Sequence, residues 1–147
     1  MKINVYKYQD LGKDKLYEML KLRSEVFVVE QNCAYQDLDN KDQKALHLIV
    51  EENDKIIGYT RIFKSGHFYK NSSIGRVLVK KEYRGKDLGK IIMNKSIEQI
   101  KKDSSEKKIE ISAQKYLLKF YFDFGFKKIG EEYLEDNILH VKMILKI

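Results

Sequence analysis

The residues from Gly75 to Ile92, GRVLVKKEYRGKDLGKII, carry the clearest chemistry in the chain. An apolar strand runs into a short segment holding Arg84, Gly85 and Lys86, and an amphipathic helix follows. That order gathers main-chain N–H groups of the turn and the helix N-terminus at the positive end of the helix dipole. Such a concavity binds phosphate. A side chain at Gly85 or Gly89 would hold the phosphate away, while Arg84 and Lys86 add positive charge. The segment lacks G-x-x-x-x-G-K-[ST] and is too compact for the G-x-G-x-x-G fingerprint, which argues against ATP and NAD as ligands.

The elements that must position this segment follow from periodicity. Lys2 to Tyr8 alternates as an opening strand, and Leu16, Met19, Leu20, Val26 and Phe27 make a helical stripe over Lys13 to Phe27. Gln31 to Lys44 reads as a surface loop. Ala45 to Glu51 and Lys55 to Phe63 form a hairpin around Glu52-Asn53-Asp54, and a second loop covers Lys64 to Ser73. Ile74 to Lys80 is the strand of the chemical segment, and Leu88, Ile92, Ser96 and Ile100 mark its helix. A short strand over Lys108 to Ser112 precedes an aromatic helix, Tyr116 to Phe124, capped by Gly125. Lys127 to Leu134 and His140 to Ile147 close the chain as a strand pair around Glu135-Asp136-Asn137. Runs of strands with helices between the later ones predict a mixed α/β or α+β fold in one domain, residues 1–147.

Composition narrows the partners. The net charge is +7, from 29 Lys and Arg against 22 Asp and Glu, but the only arginines are Arg23, Arg61, Arg76 and Arg84. Dispersed lysine without an RNA-binding aromatic signature or a DNA-reading helix pair reads as solvated surface, so no nucleic-acid partner is expected. A small phosphorylated ligand suits the same charge. No apolar run is long enough to cross a bilayer, the start MKINVYKYQDLG lacks a signal-peptide pattern, and there is one cysteine. These point to a chain without a membrane partner, in a reducing cytoplasm.

VLV followed by YRGKDLGKII resembles the pyrophosphate-binding motif of the GNAT N-acetyltransferase superfamily, and KFYFDFGFKKIGE resembles its second signature. LRSEVFVVEQNCAYQDLDNKD, ALHLIVEE, EISAQKYLLKFYFDFGF and GEEYLEDNILHVKM are similar to its ElaA-like branch. The resemblance implies a mostly antiparallel mixed sheet flanked by helices and splayed between its fourth and fifth strands. It also implies acetyl transfer from acetyl-CoA to an amine, by direct attack in a ternary complex and without a metal. Carried over, Arg84, Gly85, Lys86, Asp87, Leu88 and Gly89 wrap the diphosphate. Leu78 and Val79 pair with the pantetheine arm, and Tyr121 sits at the sulfur as general acid. The motif's inner glycine is here Asp87, whose side chain offers a helix cap instead.

For the base, the resemblance leaves several candidates. Arg23 lies on the apolar stripe of the first helix and Glu30 seven residues on, which suggests either a structural pair or a catalytic role for Glu30. Glu30, Asp37 and Asp39 border the acceptor side in this fold, as Arg23 does, and are candidates to hold a cationic amine. His47 and His140, both in predicted strands, are the other base candidates. The three histidines and Cys33 lack metal-ligand spacing, and Cys33 has no neighbour to activate it. Rivals remain: a silent acyl-CoA-binding module, and an acyl-homoserine-lactone synthase, whose Arg-x-x-Val-Phe…Glu pattern LRSEVFVVEQ also resembles. Exposed edge strands allow a monomer or a homodimer.

Overall fold

Apolar runs of strand length become seven strands in the computed structural model, which describes every residue from Met1 to Ile147. They are β1 (Lys2–Lys7), β2 (Leu46–Glu52), β3 (Lys55–Phe63), β4 (Ser72–Val79), β5 (Lys108–Gln114), β6 (Lys127–Glu135) and β7 (Ile138–Lys146). One sheet holds them in the order β1-β2-β3-β4-β5-β7-β6. Every neighbouring pair is antiparallel except β4–β5, which is parallel. The helices are α1 (Lys13–Ser24), α2 (Leu88–Lys101) and the short α3 (Leu118–Phe122).

Strand alternation sends successive side chains to opposite faces, and each face receives a helix. Leu48, Val50 and Ile57 pack with Ile92, Met93 and Ile97 of α2 in the larger core. Ile49, Ile56 and Tyr59 pack with Met19 and Leu22 of α1 in the smaller one. Gly58 lets α2 approach closely: a Cβ there would lie 2.7 Å from Ile92 Cδ1.

The sheet opens at the β4–β5 seam. Only Ser72 with Ile109 and Ser73 with Glu110 are paired, and the strands part from Ile74 onward. A bulge in β4 accompanies the parting: Tyr59 pairs with Leu78 and Arg61 with Gly75, while Arg76 between them has φ +50°. Bulges bend their strand and re-aim its side chains. The expected splay between the fourth and fifth strands is therefore present.

Both hairpins close with two-residue turns whose central residues have positive φ, Asn53 and Asp54 in one, Asp136 and Asn137 in the other. That geometry matches strand twist and favours Asn and Asp. Two elements differ from expectation. The first helix is α-helical only to Ser24 and continues through a wider π-helical turn from Glu25 to Glu30, which shifts the phase of every side chain after Ser24. The aromatic helix shrinks to α3 behind a single 3-10 turn, Lys115–Leu117, leaving Tyr116 and Phe122 exposed and Tyr121 buried.

Candidate active site

Where β4 and β5 part, a cleft of about 710 Å³ runs through the sheet. Gly75 to Val79 of β4 form one wall, and Ser112 and Gln114 of β5 with His140 of β7 form the other. The π-helical turn and the chain after it, including Glu30, Gln31 and Cys33, close the top. Gln31 reaches across to Gln114, and Cys33 Sγ donates to the Asp136 carbonyl at 3.0 Å.

At one end the cleft meets the turn that leads into α2. Leu78, Val79 and Arg84 line it, while Gly85, Lys86, Asp87, Leu88 and Gly89 continue from Arg84 into the first turn of α2. Arg84 is fixed from two sides: its Nε donates to the Val79 carbonyl at 2.9 Å and its guanidinium pairs with Glu30 at 2.8 Å. The first helical bond of α2 is from the Ile91 N–H to the Asp87 carbonyl, and the N–H groups from Gly85 to Lys90 find no partner within the protein. Such a row of free donors at a helix N-terminus is an anion site. Gly85, at φ +81°, supplies the bend. Asp87 makes no side-chain cap, contrary to expectation, because its left-handed backbone, φ +61°, carries the carboxylate away from the helix amides.

Tyr121 lines the same cleft from α3, packed edge-to-face on Phe120 and Phe126. Burial pushes its hydroxyl well above the usual phenol range, so its proton is held firmly. The hydroxyl is therefore protonated near neutral pH and offers a hydrogen-bond donor to the cleft.

Of the two readings of Arg23 and Glu30, the structural pair does not form, because the π-helical turn moves Glu30 round to Arg84. Arg23 is fully buried and holds Asp37 at 2.9 Å and Asp42 at 2.8 Å. Arg61 holds Asp39 and Asp42, and Arg76 holds Asp37 and, more loosely, Asp39. Three arginines from α1, β3 and β4 thus strap the 31–44 loop against the sheet, leaving only Arg61 Nε without a partner. Arg23, Asp37 and Asp39, expected beside the acceptor, are turned into this cluster and do not line the cleft. The guanidiniums hold Asp39 and Asp42 below the usual carboxylate range against the opposing effect of burial.

His47 also sits behind the cluster, away from the cleft. Its Nε2 donates to the Asp42 carbonyl at 2.9 Å, and its Nδ1 accepts from the Tyr59 hydroxyl at 2.6 Å. Both nitrogens are satisfied in the neutral ring, and burial holds its pKa below the ordinary value. The stability this contributes is present above the unfolded-chain value of about 6.5 and is lost as pH falls through the lower folded one. Unfolding free energy should therefore decline from about pH 6.5 downward by up to about 1.4 kcal/mol per pH unit. The Asp39 and Asp42 contributions fade only below about pH 4. Denaturant titrations of His47→Gln should have a flatter limb between these ranges, and an unchanged slope would refute the assignment.

The wall formed by β5 and β7 holds a second polar group. His140 is 6% exposed, and its Nδ1 faces the Ile138 carbonyl at 2.7 Å. Its Nε2 lies 3.3 Å from Glu135 Oε2. Tyr133 stacks on the His140 ring, and its hydroxyl meets Ser112 Oγ. Burial, with Glu135 and Tyr133 close by, pushes the cleft-lining Tyr69 hydroxyl up to about 12. Of this group the sequence singled out only His140. Glu135 was read as a turn residue, but the tight turn pairs it with Ile138 and brings it diagonally beside His140. The signal that could have found it is the acidic turn two strand positions from a histidine.

Residues 4–147 match the family model for an acetyltransferase (GNAT) domain. The protein ElaA of Escherichia coli strain K12 is 38% identical over 142 residues, 95% of this chain and 93% of ElaA. Its crystal structure superposes with a TM-score of 0.91, covering 98% of this chain and 99% of that one. An acyl-CoA N-acyltransferase from Pseudomonas aeruginosa gives a TM-score of 0.92 at 32% identity, covering 97% of each chain. The CoA-dependent acyl-homoserine lactone synthase BjaI shares the fold at a TM-score of 0.77, covering 99% of this chain and 82% of BjaI, with 16% identity. Matched along almost its whole length by the family model and by ElaA, the chain belongs to the GNAT superfamily of acyl-CoA-dependent N-acyltransferases, among relatives of the ElaA-like kind.

Proposed function

We propose that residues 1–147 act as one domain that moves the acetyl group of acetyl-CoA to an amine of a small molecule or protein by direct attack in a ternary complex. The observation that carries this reading is the parted β4–β5 seam, whose cleft ends at the row of unpartnered N–H groups from Gly85 to Lys90. Those donors fit a diphosphate, and the exposed Lys86 adds charge. The freed main chain of Leu78 and Val79 offers a strand edge to the amides of the pantetheine arm. Bound acetyl-CoA supplies an activated thioester.

Around it the protein groups divide the work. Main-chain N–H groups of β4 are suited to stabilise a carbonyl oxygen gaining charge. Tyr121, protonated and lining the cleft, is placed to give its proton to the strongly basic departing thiolate. Glu30 acts through Arg84, fixing the guanidinium at the cofactor end. His140 is the base candidate on the cleft wall. The chain works in this reading as a monomer or a homodimer.

Titration calorimetry should find saturable binding of both acetyl-CoA and CoA, weakening as salt screens the phosphates. A CoA-release assay with amines and peptides should then report turnover. Binding without turnover of any amine would leave a silent acyl-CoA-binding module; no binding of either nucleotide would remove the reading altogether.

A further inference from the structure

The lining of the cleft is charged unlike the rest of the molecule. The chain carries +7 and about one residue in six is lysine, yet no lysine lines the cleft. Its three arginines, Arg61, Arg76 and Arg84, are each bound to carboxylates. The carboxylates left on the wall are those of Glu135, which meets only His140 and Ser112, and Asp136, which makes no ion pair. With the arginines neutralised by their partners, the charge left over on the wall is negative and favours cationic ligands.

A second observation concerns His140, which is more than nine-tenths buried. With Nδ1–H donating to the Ile138 carbonyl, the neutral ring leaves Nε2 as a lone pair. That lone pair makes no aligned hydrogen bond within the protein and faces Glu135 Oε2 across 3.3 Å. With the ring neutral no proton lies between these two acceptors, and an ammonium beside them, with three N–H donors, can bond to both. The hydroxyls of Ser112 and Tyr133 continue the polar row.

Building on the acyl-transfer reading of this cleft, we infer that the acceptor is a small amine bearing a second cationic nitrogen, selected by Glu135 and Asp136. A carboxylate on the acceptor would meet like charge at the same wall, and an uncharged tail would leave the carboxylates unpaired.

Three amines of equal length test this: 1,4-diaminobutane, n-butylamine and 4-aminobutanoate. The kcat/KM of the intact enzyme should favour the diamine over butylamine by on the order of tenfold to a hundredfold, the range of one charge-assisted hydrogen bond. The aminobutanoate should be poorest, and the Glu135→Gln, Asp136→Asn double variant should lose most of the ranking. Cys33, whose thiol bonds to the Asp136 carbonyl, gives a readout independent of turnover. The diamine should slow its alkylation by iodoacetamide more than butylamine does, and the double variant should lose that difference. Calorimetry with acetyl-CoA on the same samples separates the two claims. If acetyl-CoA binds and amines are acetylated without charge preference, the acceptor inference falls and acyl transfer stands. If acetyl-CoA does not bind, acyl transfer falls and Cys33 protection alone decides the acceptor inference; equal protection by the two amines overturns it.

Discussion

Arg23→Met is expected to lower the unfolding free energy by about 3–5 kcal/mol, the usual effect of removing one partner from a buried ion pair. The guanidinium is fully buried and bonds to the Asp37 carboxylate and carbonyl as well as to Asp42. Methionine fills much of the volume, so the loss falls on the two carboxylates that each lose one donor rather than on packing. Asp37 keeps Arg76 and Asp42 keeps Arg61, which places the expected cost at the lower end of that range. Urea titration would read it as a shift of the midpoint at constant slope. A change of less than about 1 kcal/mol, the level of a surface pair, would mean that the cluster is solvated and the loop is not strapped.

The second large effect is on turnover. Tyr121→Phe should lower kcat by about 10²–10⁴-fold, the range for losing a positioned general acid, with acetyl-CoA affinity little changed. The ring contacts with Phe120 and Phe126 survive the substitution, so the thermal midpoint should hardly move. A kcat loss with unchanged KM and unchanged melting separates a role in proton transfer from a role in packing. Equal turnover by the two forms would make Tyr121 a core aromatic only.

The parts of this molecule that the sequence made legible are contiguous. Gly75 to Ile92 is one strand, one turn and one helix, so local periodicity and two glycines were enough to locate the row of free amides. Tyr121 is fixed by its distance from Gly125-Phe126. What was hidden depends on register and path. The partner of Arg23 could not be read from helical spacing, because the π-helical turn after Ser24 rotates Glu30 towards Arg84. Asp37 and Asp39 looked free because their arginines come from α1, β3 and β4, far away in sequence. His47 and His140 are both strand histidines; only the sheet order puts one behind the arginine cluster and the other on the open seam. Glu135 reaches His140 through a two-residue turn whose register a sequence alone leaves unfixed.

The strap itself has a chemical corollary. Thioesters slowly acylate nearby amines without any catalyst, so a protein that handles such a donor exposes its own lysines to stray modification. Here every cation that holds the 31–44 loop to the sheet is a guanidinium, which stays protonated and does not react in this way. The lysines can be neutralised one by one without loosening the strap.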